Sequence, residues 1–140
     1  MSLSVSPFLT FNGQAKEAMN FYKDNLPNTT IKQLLTYKEA NPASSEAEAN
    51  LVMHGAITIG ETDVLFLDMA PPHDAPAFNW ANSLLIRCNT EEEFDNFHNA
   101  LAKDGTVMMG PEAVGPIPKC SWVVDKFGVV WQPVLSFDRM

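Results

Sequence analysis

Positive charge is scarce in this sequence. Nine lysines and arginines face seventeen aspartates and glutamates, for a formal net charge of −8. Binding of phosphate backbones needs a basic stripe, so nucleic acid is not expected as a partner. Long apolar runs are also missing: no stretch approaches the roughly 18 residues of a membrane-spanning helix. The first residues, Met1-Ser2-Leu3-Ser4-Val5, have neither a basic nor an apolar signal region, so a cytoplasmic location is expected. Only two cysteines occur, Cys88 and Cys120, with no Cys-x-x-Cys spacing. In a reducing compartment they are expected to be buried, inert thiols. What remains is an ordinary globular composition, 46% hydrophobic and 19% charged over 140 residues. That suits one domain spanning 1–140.

The chain reads as one grammar used twice. Residues 7–11 form a short strand, after which Asn12 and Gly13 open a helix. Its apolar stripe is Ala15, Ala18, Met19, Tyr22 and Leu26, and Pro27 stops it. Residues 30–37 are β-branched and apolar and predict a strand. From 39 to 50 the composition predicts a mobile surface loop. Residues 51–59 and 64–69 predict two strands around Gly60-Glu61-Thr62-Asp63. A proline-rich connection, residues 70–80, separates this module (7–69) from a second (82–135). There, 83–88 predicts a strand and Thr90-Glu91-Glu92-Glu93 a capping box. Phe94, Phe97, His98 and Leu101 follow at helical spacing, with Gly105 as the stop. Residues 106–109, 121–125 and 129–135 predict strands, with a Gly/Pro-rich loop at 110–119. Strand-helix-strand-strand-strand thus occurs twice, an internal repeat.

Three segments carry a family resemblance. They are Pro7-Phe8-Leu9-Thr10-Phe11-Asn12-Gly13 with Glu17-Ala18 and Phe21-Tyr22; Val52-Met53-His54-Gly55 with Ile59-Gly60; and Trp122-Val123-Val124-Asp125-Lys126-Phe127-Gly128-Val129-Val130-Trp131-Gln132. With the duplicated module, they resemble the PhnB-like branch of the glyoxalase/bleomycin-resistance/dioxygenase, or vicinal-oxygen-chelate, superfamily. That branch carries the label 3-demethylubiquinone-9 3-methyltransferase. The resemblance implies an α+β fold, two βαβββ modules forming an eight-stranded half-open barrel with helices outside, and a homodimer. Metal-dependent members ligate through positions that fall here near Pro7, Asp68, Ser83 and Gln132. Only Asp68 among them is a strong donor for Zn, Ni or Fe(II), so no metal and no other cofactor is expected. The methyltransferase label finds no support in a nucleotide-binding turn, because none of the seven glycines forms a Gly-x-Gly.

Strand alternation nominates the ligand-facing side chains. If Ser83 faces a cavity, so do Leu85 and Arg87, while Leu84, Ile86 and Cys88 pack on the second helix. Arg87 either holds an anion, or it snorkels at the strand end or pairs with a helix glutamate. Asp68 and Gln132, with Phe66 and Val130 two residues earlier, read as polar tips above apolar walls, or else as strand-end caps. His54, in a strand, is the candidate proton-transfer group, a structural histidine being the alternative. His98 reads as structural and His73 as a loop residue. A minority of the aromatics, which include Phe8, Phe11, Phe66, Trp122 and Trp131, must line the cavity.

Three functions remain open. The first is binding of a small apolar or amphipathic molecule without metal. The second is isomerase, lyase or dioxygenase chemistry on a divalent metal held by Asp68, His54 and water or a partner subunit. The third is a protein-interaction module acting through loop 39–50.

Overall fold

The computed structural model describes residues 2–136. The chain divides into two compact units, Met1–Pro76 and Ala77–Met140. In the first, β1 (Phe8–Phe11) leads into α1 (Ala15–Asn25), then β2 (Thr29–Thr36), a helical turn α2 (Tyr37–Ala40), β3 (Val52–Ile59) and β4 (Thr62–Asp68). The sheet order is β1-β4-β3-β2. β1 runs parallel to β4, and the other pairs are antiparallel. The five stripe residues of α1 are all buried, and one face of the sheet takes them. Tyr22 meets Phe66 at 6.1 Å between ring centres, and Phe66 stacks on Phe11 at 5.7 Å. Burial of each such side chain contributes about 1.5–3 kcal/mol. Gly55 permits the close approach of α1 to β3, since a Cβ there would lie 2.6 Å from the Met19 sulfur.

The second unit repeats this order. It holds β5 (Leu84–Cys88), α3 (Glu91–Ala102), β6 (Thr106–Val114), β7 (Ile117–Val124) and β8 (Val130–Leu135). Its sheet order is β5-β8-β7-β6, again with the first pair parallel. Thr90 caps α3 through its hydroxyl, which accepts the Glu93 amide at 3.1 Å. The Glu93 carboxylate reaches back to the Asn89 amide, one residue before the cap.

The α+β fold is as expected, its strands forming two four-stranded sheets that are not closed into a barrel. Two expectations are corrected. The Gly/Pro-rich stretch 110–119 is mostly strand, because β6 is an edge strand, where a proline removes no needed ladder bond. Register shifts absorb Gly110 and Pro111. Gly110 has φ +80°, and a Cβ there would lie 2.3 Å from the Cys120 carbonyl oxygen. The stretch expected as a loop from residue 39 begins inside α2, closed by a reciprocal Thr36–Glu39 capping box.

Candidate functional site

Each sheet has a face covered by its helix and a face turned away from it. In the second unit, the helix side is marked by His98 of α3, whose Nδ1 lies 2.8 Å from the Ser121 hydroxyl. Ser121, Val123 and Asp125 share that side, as does Trp131, the ladder partner of Val123. Leu84, Ile86 and Cys88 fall there too, as expected from the alternation. The opposite face carries Leu85 and Arg87 of β5, Val130 and Gln132 of β8, and Trp122 of β7. Leu85 and Arg87 are exposed, Gln132 is half-buried and Val130 is buried. Ser83 is exposed and immediately precedes β5. The structure therefore brings Leu85, Arg87, Gln132 and Val130 together on one face, with Ser83 at its edge. Among the described residues, the side chains of Arg87 and Gln132 make no hydrogen bond or ion pair.

Phe66 and Asp68 are a correction. They lie on the helix side of the first sheet rather than on an open face. Phe66 is in the core with Phe11 and Tyr22. Asp68 is only 1% exposed. Its Oδ1 accepts the amides of Gly13 at 2.8 Å and Ala15 at 3.0 Å, and its Oδ2 accepts the Val52 amide at 3.0 Å. The two modules are offset in parity here: Gln132 turns away from its helix, whereas Asp68 turns towards its own. His54 lies on the open face of the first sheet beside its ladder partner Leu35, half-buried. Pro7 takes part through its carbonyl, which accepts the Leu65 amide. No three histidine, cysteine, aspartate or glutamate side chains among the described residues converge as a metal site.

A separate open cleft of about 300 Å³ lies in the first unit, bordered by Asn12, Gly13, Leu51, Met69, His73 and Asp74. The Asn12 amide group pins the Ala75 backbone through two hydrogen bonds. His73 is exposed at the edge of this cleft. The thiols are free and buried. Burial, and secondarily Glu93, pushes Cys88 up to about 12. Burial, and secondarily Glu112, raises Cys120. Neither is a nucleophile near neutral pH.

The sequence reading did not single out Trp80, which lies in the second unit and meets the Trp122 ring edge-on at 5.7 Å. Trp122 Nε1 is buried without a hydrogen-bond partner among the described residues. A tryptophan in a proline-rich connection is the only trace of this pair in the sequence.

Among the described residues, no helix is long and apolar enough to cross a membrane. The family described as 3-demethylubiquinone-9 3-methyltransferase matches residues 3–134. A solved structure described as a putative 3-demethylubiquinone-9 3-methyltransferase, PhnB protein, from Bacillus cereus is 33% identical. It aligns over 96% of this chain and 100% of its own, with TM-score 0.81. Protein PA1353 from Pseudomonas aeruginosa is 25% identical over 98% and 100% of the two chains, with TM-score 0.87. The fosfomycin resistance protein FosX from Listeria monocytogenes, complexed with Mn(II) and 1S,2S-dihydroxypropylphosphonic acid, shares the fold. It has TM-score 0.67 and 10% identity over 99% and 95% of the chains. No curated protein matches. With a family match over nearly its whole length and a PhnB relative at 33% identity, the chain belongs to the PhnB-like family described as 3-demethylubiquinone-9 3-methyltransferase.

Proposed function

We propose that this chain binds a small apolar or amphipathic molecule on the open face of its second sheet, without a metal. One observation carries the reading. That face collects Leu85 and Val130 as apolar wall and Arg87 and Gln132 as polar groups with no side-chain partner among the described residues, beside Ser83. Apolar surface with a few unpartnered polar groups is what an oriented small ligand needs. The donor set supports the absence of metal. FosX is described with Mn(II), but here the Asp68 carboxylate already accepts three backbone amides. Gln132 and Ser83 are weak ligands, and a typical catalytic zinc site needs three strong protein donors. The family's methyltransferase label draws no support from a Gly-x-Gly turn. We further propose a cytoplasmic homodimer; the two buried, unpaired thiols suit a reducing compartment.

A thermal-shift screen against divalent metals and small acidic or aromatic metabolites tests this. Saturating organic ligand stabilises the native state by about 2.7 kcal/mol at a hundredfold excess over Kd. The reading expects organic molecules to raise Tm and metals alone to leave it unchanged. A Tm raised by metals and by no organic compound would contradict it.

A further inference from the structure

We propose that the ligand of this face is a flat aromatic carboxylic acid, its carboxylate accepting the Trp122 Nε1–H and its ring lying against Trp80. The inference rests on the small-molecule reading above and names the ligand class. Its starting point is an anomaly. Buried indole N–H groups almost always have an acceptor, yet Trp122 Nε1 has none among the described residues. Another tryptophan of this unit shows the norm: Trp131 Nε1 donates to the Asp125 carboxylate at 2.9 Å.

Register places Trp122 in company. Met109 of β6 is its ladder partner. On β8, Cys120 pairs with Val134 and Val124 with Val130, which puts Gln132 opposite Trp122. Gln132 in turn pairs with Leu85 of β5. One row across the open face therefore reads Leu85, Gln132, Trp122, Met109, with Arg87 one step along the same face.

The chemistry of that row selects the ligand. Trp122 Nε1 and the Arg87 guanidinium only donate, and the Gln132 amide does both. A ligand that satisfies them presents acceptor oxygens, and the Arg87 cation, with no ion pair among the described residues, favours an anionic one. A carboxylate supplies both. Trp80 supplies the aromatic preference: it is 61% exposed, yet held edge-on against Trp122, so its ring remains open to another ring. Leu85, at 41% exposure, adds apolar surface beside the row.

The test uses the three tryptophans as separate reporters, through their indole N–H signals in a ¹⁵N–¹H spectrum of the full chain. The probes are 2-naphthoate and, as its counterpart without oxygen, naphthalene. With 2-naphthoate, the Trp122 signal shifts downfield as an acceptor arrives, and the Trp131 signal stays in place. Trp122→Phe, which keeps a ring but removes the donor, weakens 2-naphthoate binding about tenfold or more. Arg87→Gln, at an exposed position, weakens 2-naphthoate while leaving naphthalene unchanged. Trp80→Ala weakens both. Saturable 2-naphthoate binding that leaves the Trp122 signal still, or equal affinity in Trp122→Phe and Arg87→Gln, overturns the assignment and leaves the small-molecule reading intact. No binding of 2-naphthoate also overturns it, and the wider metabolite screen then judges the small-molecule reading separately.

Discussion

The two units follow one strand order but secure their turns differently. In the first unit, the N-cap residue of α1, Gln14, makes no side-chain capping bond. The helix entry is held instead by Asp68, 55 residues away from Gly13 in sequence, which also fastens the start of β3 through Val52. In the second unit, α3 is capped locally by Thr90. The buried carboxylate there, Asp125, serves the β7–β8 turn, accepting the amides of Phe127 at 2.8 Å and Val129 at 3.1 Å and the Trp131 indole N–H. Among the described residues, each unit has one buried carboxylate that accepts three N–H donors, placed at different joints. A repeat in topology does not imply a repeat in the chemistry of corresponding positions. Asp68 is therefore a fastening of the fold, not a counterpart of Gln132.

The largest effect that could break this comparison is at Asp68. Asp68→Ala strands three amides, two of them in buried bonds, and is expected to cost about 3–5 kcal/mol by urea unfolding. A loss under about 1 kcal/mol would remove Asp68 from this role. Asp125→Ala is expected to cost slightly less, about 2–4 kcal/mol, because the Phe127 amide is only part-buried. Its signature is a changed environment for Trp131, visible in near-ultraviolet circular dichroism.

This contrast also marks how far the sequence was legible. Thr90-x-x-Glu93 announces its helix because both partners lie within one turn. The order of elements was readable from periodicity, as the α1 stripe shows. Asp68 was not readable, because its partners Gly13 and Ala15 are distant in sequence and a carboxylate at a strand end looks alike whether it meets backbone or ligand. Strand alternation assigned Leu85 and Arg87 to the correct side of β5. It failed for Phe66 because carried-over positions, not local pattern, set the parity of β4. Gly110 and Pro111 suggested a loop because composition does not reveal which strand is an edge. The Trp80–Trp122 pair depends on tertiary packing and left no local pattern.

A smaller effect is expected at Thr90. Thr90→Ala should cost about 1 kcal/mol, and Thr90→Ser nearly nothing. A cost at Thr90 equal to that at Asp68 would erase the distinction between a local and a long-range cap.

The smallest effect concerns His98, which bridges α3 to Ser121 and stacks on Phe94. Burial holds it below its ordinary value of 6.5; Lys119 acts in the same direction and Asp95 opposes it. The folded state therefore binds the proton less readily than the unfolded chain. The associated stability is present above pH 6.5 and is lost as pH falls through the lower folded value. Unfolding measured from pH 7 to 5 should show this loss, and His98→Gln should flatten it. An unchanged slope in the variant would place the pH dependence elsewhere.

The central claim is that ligand recognition here proceeds without a metal, and elemental analysis joined to ligand titration tests it most directly. Protein purified without a chelating tag is predicted to contain no stoichiometric transition metal, and to bind its organic ligand equally well with and without EDTA. One Zn, Ni, Mn or Fe per chain, with ligand binding lost when the chelator removes it, would contradict the account.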